Sequence, residues 1–105
     1  MAALPDQIRA NVARLIHRLN ADNLIIREAY VFGSYAKGRQ SEWSDIDLAL
    51  VSDQFEGNFF NDRSRLSLYV VRTDTDIETH PFRPEDFNVD NPLVEEILRT
   101  GVRVA

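Results

Sequence analysis

VFGSYAKGRQSEWSDIDLALV, residues 31–51, is the stretch whose reading decides the fold. It opens on the apolar pair Val31-Phe32, breaks at Gly33-Ser34, loops through Lys37, Gly38 and Arg39, and returns as the alternating run Asp45-Ile46-Asp47-Leu48-Ala49-Leu50-Val51. The pattern predicts strand, phosphate-sized turn, strand.

In an extended chain residues i and i+2 point to one face, roughly 6.5–7 Å apart along the backbone. Asp45 and Asp47 therefore project together. Two ionised carboxylates held about 5 Å apart in a partly buried site repel by roughly 3 kcal/mol at an effective dielectric near 20. A divalent cation relieves that repulsion, and such a pair can bridge two metal ions that clamp the attacking and leaving oxygens of a phosphate. Magnesium suits these ligands, since it takes one or two carboxylates together with substrate phosphates. Gly33-Ser34 adds a glycine that lets backbone approach a ligand, a helical turn that aims N–H groups at anions, and a hydroxyl donor. Together they describe a nucleoside triphosphate held by its phosphates and its metals.

Gly33-Ser34, then ten residues, then Asp45-Ile46-Asp47, with Gly38 in the gap and Ser44 before the first aspartate, resembles the signature of the DNA polymerase beta-like nucleotidyltransferase superfamily. The small single-domain branch, the minimal nucleotidyltransferases, is the most similar. The resemblance implies that Gly33, Ser34 and Ser44 bind nucleotide and that Asp45 and Asp47 hold two Mg²⁺ ions. It also implies a third carboxylate from a strand beside the Asp45–Asp47 strand. By position that role falls on Glu78, with Asp76 as the alternative. A glutamate stands where many relatives carry aspartate. Lys37 and Arg39 either reach the triphosphate or solubilise the loop.

At 105 residues the chain reads as one domain, able to bury roughly two thirds of its unfolded surface around one core. Its 44% hydrophobic and 28% charged residues fit an ordinary globular protein rather than a disordered or fibrous one. A formal charge of −5 argues against long nucleic acid as the main partner, which would call for clustered Lys and Arg. The chain has no cysteine, and its first residues carry no long apolar run. The expectation is a cytoplasmic protein without signal peptide or membrane span.

Outside the central stretch, Ile8, Val12, Leu15, Ile16 and Leu19 form an amphipathic stripe that predicts a helix over residues 5–20, with Arg9, Arg14, His17 and Arg18 on its wet side. Residues 24–32 read as a strand interrupted by Arg27-Glu28, and residues 34–37 as a helical turn ended by Gly38. Trp43 reads as a packing residue, with stacking on a nucleobase as the alternative. Residues 59–72 read as a helix with Leu66, Tyr69 and Val70 inward, anchored by Phe59-Phe60, with contact to a partner as the alternative for that pair. Residues 76–80 alternate as a short strand placing Asp76, Glu78 and His80 on one face, His80 reading as structural. Pro84 opens a short turn. Asn91-Pro92 caps a last helix whose Leu93, Val94, Ile97 and Leu98 face the core, Gly101 stops it, and Val102 and Val104 add a final strand. These elements predict an α+β fold: a small mixed β-sheet with helices packed on it, the nucleotidyltransferase fold.

The function expected is transfer of a nucleoside monophosphate, AMP from ATP, to an acceptor hydroxyl in a Mg²⁺-dependent reaction. Larger relatives recognise the acceptor with an added domain, so another molecule must present it here. Minimal nucleotidyltransferases often work beside a helical HEPN toxin that they bind and in some cases adenylylate on tyrosine, so the resemblance implies an antitoxin with a HEPN partner. Two other functions are a catalytically inactive binding module that neutralises its partner by contact, and a transferase for a small molecule such as an aminoglycoside. The plainest alternative makes Asp45 and Asp47 polar positions of a half-exposed strand and Gly33-Ser34 a mere turn.

Overall fold

The computed structural model describes residues 4–39 and 45–105. In chain order these form helix α1 (Asp6–Ala21), strands β1 (Glu28–Phe32) and β2 (Ile46–Val51), helix α2 (Phe59–Thr73), strand β3 (Ile77–Phe82), a single 3₁₀ turn (Pro84–Asp86), helix α3 (Pro92–Thr100) and the two-residue strand β4 (Val102–Arg103). The sheet runs β3-β2-β1-β4. β1 pairs antiparallel with β2 and β4, whereas β2 and β3 run parallel, joined by α2. This is the mixed α+β architecture the sequence predicts. Among the described residues no helix is long and apolar enough to cross a membrane.

One sheet face, carrying Ala29, Val31, Ile46, Leu48, Leu50 and Ile77, packs against Val12, Leu15, Ile16 and Leu19 of α1 and Leu66 of α2. α1 starts at Pro5 without a side-chain cap. A missing cap costs about 1 kcal/mol. Burying each of its inward side chains contributes roughly 1.5–3 kcal/mol, so packing, not capping, holds this helix. The opposite face presents Tyr30, Phe32 and Ala49 to Ile97 of α3, with Phe82 and Phe87 alongside.

The observed elements depart from the sequence reading in four places. The first strand begins at Glu28 rather than Leu24, because side chains satisfy the preceding amides: Ile25 N–H donates to Gln54 Oε1 (2.7 Å) and Ile26 N–H to Asn20 Oδ1 (2.9 Å). β3 continues through Pro81 to Phe82. Lying at the sheet edge, it tolerates a residue without an N–H.

Phe59 and Phe60 do not anchor α2. They are 50% and 78% exposed, and Phe55 is buried instead. The start of α2 is fixed by polar contacts: Asn58 accepts from Asn61 N–H, and the buried Asp62 carboxylate accepts the N–H groups of Glu56 and Gly57. Leu93 and Leu98 of α3 are likewise exposed, because the helix lies on β1 through Val94 and Ile97 alone.

Gly101 does end α3, but not by a left-handed turn, since its φ is −74°. Glycine is required by space: a Cβ there would stand 2.5 Å from the Ile97 carbonyl oxygen and 3.3 Å from that of Val31. Both are backbone atoms and cannot rotate away. Gly101→Ala is therefore expected to destabilise the fold by about 1–3 kcal/mol, read as a lower urea midpoint with unchanged slope.

Candidate active site

β2 enters the sheet at Ile46 and sends alternate side chains to opposite faces. Ile46 and Leu48 go into the core under α1 and α2, which leaves Asp47 on the other face. Parallel pairing sets Asp47 beside Glu78 and Ala49 beside His80, while antiparallel pairing sets Phe32 opposite Asp47. Carboxylate oxygens of Asp47 and Glu78 and a ring nitrogen of His80 lie within 4.8 Å of one another, and all three residues are half-buried. His80 Nε2 stands 3.3 Å from Asp47 Oδ1. Its ring meets Phe32 edge-on, with centroids 4.9 Å apart.

The chain leaves β1 through Gly33 at φ +74°, in the left-handed region that favours glycine. A Cβ there would run into Asp47 Oδ2. The bend that carries Ser34 is therefore laid directly against the carboxylate. Residues 33–38 form a tight turn, with Lys37 N–H bonded to Gly33 O, Arg39 N–H to Ser34 O, and Gly38 at φ +69° closing it. A glycine-serine bend, an aspartate on a central strand and an acid on the parallel neighbour thus lie side by side.

The nucleotidyltransferase domain family matches residues 12–99. The chain belongs to that family. Among curated proteins no sequence match is found. Solved structures with a similar fold include a toxin-antitoxin with AMP-PNP, at TM-score 0.64 and 22% identity over 92% of this chain and 72% of that one. A candidate nucleotidyltransferase from Sulfolobus solfataricus gives TM-score 0.59 and 21% identity over 98% and 89% of the two chains. A mutant of the toxin-antitoxin MntA-HpeT gives 0.63 and 18% over 92% and 72%. These likenesses carry the fold, and the family match bears out the resemblance to nucleotidyltransferases.

Within this nucleotidyltransferase domain the sequence-predicted site residues fall into four groups. Gly33, Asp47 and Glu78 converge, with Ser34 next in chain to Gly33 and Asp45 exposed at the mouth of β2. Asp76 does not join them: it is exposed, precedes β3, and meets β2 only by accepting Ile46 N–H on its backbone oxygen. Ser44 and Trp43 lie outside the described residues.

Lys37 points to α3, its Nζ 2.9 Å from Glu96 Oε1, and Arg39 is exposed at the end of the turn. Glu78 is met by Arg63 of α2 at 3.3 Å. Both ion pairs are partly exposed, and such pairs contribute only about 0–1 kcal/mol. Neither locks its group against a bound triphosphate. His80 is the member the sequence reading left out. Its signal was the two-residue step from Glu78, which an expected structural role for a strand-end histidine masked.

Burial pushes the Asp47 carboxyl above the usual carboxylate range, opposed by the hydrogen bond and charge of His80 and reinforced by the negative charges of Glu78 and Asp45. The folded protein therefore favours the neutral acid relative to the unfolded chain. Its contribution to stability is full below the unfolded pKa and is lost as pH rises through the raised folded value. In metal-free protein Asp47→Asn is expected to melt above the wild type at pH 7, the gap closing on acidification below the carboxylate range. Thermal melts with chelator across a pH series check this. Gly33→Ala, with its Cβ aimed at Asp47, is expected to weaken any cation held there at least tenfold, measured by calorimetry.

Proposed function

We propose that this chain is a Mg²⁺-dependent nucleotidyltransferase that moves AMP from ATP onto a hydroxyl of a protein acceptor, a tyrosine of a helical HEPN toxin, and acts as its antitoxin in the cytoplasm. The observation that carries the reading is the convergence of Asp47 and Glu78 with the Gly33-Ser34 bend on one sheet face. The donor set fits divalent metal: two carboxylates from adjacent strands, half-buried, one with a charge its surroundings disfavour. Asp45, Asp47 and Glu78 would hold Mg²⁺, which when bound supplies charge neutralisation at the phosphates.

The remaining work belongs to the chain. Gly33 and Ser34 would seat the terminal phosphates, with Ser44, Lys37 and Arg39 as further nucleotide-binding residues. The acceptor oxygen forms a bond to the α-phosphorus, the α–β bridging P–O bond breaks, and pyrophosphate leaves with the electron pair. Glu78 takes the hydroxyl proton. Catalysis of this kind is positioning plus electrostatics.

Two features support a protein acceptor and partner. Two of the similar folds come from toxin-antitoxin structures, one of them with the adenine nucleotide AMP-PNP, and the other mutated by two aspartate-to-glutamate changes two positions apart. In addition α2 exposes Phe59, Phe60, Leu68 and Val71, with a groove of about 230 Å³ beside it lined by Arg63, Ser67, Val71 and Thr79. Large exposed apolar side chains grouped on one helix mark an interaction surface. Arg63 makes this surface continuous with Glu78.

An inert binding module would use the same exposed α2 side chains. One variant separates the two. With purified partner, ATP and Mg²⁺, Asp47→Asn is expected to lower the rate of mass increase on the partner at least a hundredfold, roughly 3 kcal/mol of transition-state stabilisation, while the complex survives gel filtration. Unchanged neutralisation of the toxin by that variant in cells would favour contact alone. Phe60→Asp with Val71→Asp is expected to weaken the complex at least tenfold and leave ATP affinity unchanged.

A further inference from the structure

We infer that His80 is a direct ligand, with Asp47 and Glu78, of a divalent cation, and that its nitrogen makes this site favour Co²⁺ over Mg²⁺. The inference rests on the reading of Asp47 and Glu78 as metal-holding carboxylates and adds a donor of another chemical type. Donors about 2.1 Å from an octahedral ion stand roughly 3–4.2 Å apart, and the three ligand atoms here lie within 4.8 Å of one another before any ion draws them in. His80 Nε2 already stands 3.3 Å from Asp47 Oδ1.

The imidazole is held in place. His80 lies two residues beyond Glu78 on the same strand, so both side chains leave the same sheet face. Its register partner is Ala49, whose side chain ends at Cβ and leaves the space toward Asp47 to the ring. Phe32 meets the ring edge-on and Phe59 lies 6.5 Å away on the helix side.

An all-carboxylate site binds Mg²⁺ and the transition ions through the same hard oxygens. Imidazole is a ligand that late first-row ions accept readily, whereas Mg²⁺ prefers oxygen and water. The nitrogen therefore separates the ions by type.

The test is direct binding of metal to the full chain without nucleotide. Calorimetric titrations with MgCl₂ and CoCl₂ compare wild type, His80→Ala, His80→Gln and Asp47→Asn, with thermal melts in chelator to confirm folding. The wild type is expected to bind Co²⁺ at least tenfold more tightly than Mg²⁺. His80→Ala and His80→Gln should lose at least tenfold in Co²⁺ affinity and stay within about threefold for Mg²⁺.

Equal losses for both ions in the His80 variants would make the histidine a positioning residue for Asp47 and overturn the inference. Unchanged Co²⁺ affinity in those variants, with both ions lost in Asp47→Asn, would overturn it while leaving the transferase reading standing. Retention of both ions in Asp47→Asn would bring down both.

Discussion

The parallel pairing of β2 with β3 is the constraint on which this molecule depends. Parallel neighbours cannot be joined by a tight turn and need a crossover, so α2 exists to return the chain to the same end of the sheet. That return puts Asp47 and Glu78 side by side with their charges facing the same way. Like charges directly opposed across a strand pair destabilise a sheet. The fold tolerates them because the other face of β2 buries Ile46, Leu48 and Leu50 in the core, and several side chains at about 1.5–3 kcal/mol each exceed one repulsive contact.

Burial is what raises the carboxyl of Asp47 from its ordinary value, with the neighbouring acids adding to it. Asp47 lies on a central strand, enclosed by β1 on one side and β3 on the other, with Gly33 pressed against it. Glu78 lies on the edge strand, where Arg63 and solvent both reach it. Two acids adjacent in space thus sit in unlike surroundings, a common device for giving two carboxylates different roles.

Much of this was legible in the sequence, for a physical reason. The step of two from Asp45 to Asp47, flanked by residues that must be buried, leaves one strand register compatible with a core, and register alone fixes which side chains share a face. Helices α1 and α3 were legible through their apolar spacing and, for α3, the Asn91-Pro92 cap. Harder to read was whatever depends on partners distant in sequence. Lys37 takes Glu96 from a helix that no local pattern ties to the loop. Phe59 and Phe60 look like core residues by composition, yet the core space near α2 is filled by Phe55 and Leu66. Gly101 reads simply as a helix stop, but its need for glycine comes from the carbonyls of Ile97 and Val31, one of them on another element.

His80 shows the limit most clearly. From the sequence it shares a face with Glu78, but so does Asp76, and nothing local ranks the two. The sheet ranks them: β3 begins at Ile77, which leaves Asp76 before the strand, engaged through its backbone and exposed, while the same alternation carried forward from Glu78 delivers the imidazole to Asp47. One boundary, set by the Ile46 N–H finding the Asp76 carbonyl at 2.8 Å, thereby decides which of two neighbours can join the site. The side-chain chemistry at this cluster follows from where a backbone ladder starts.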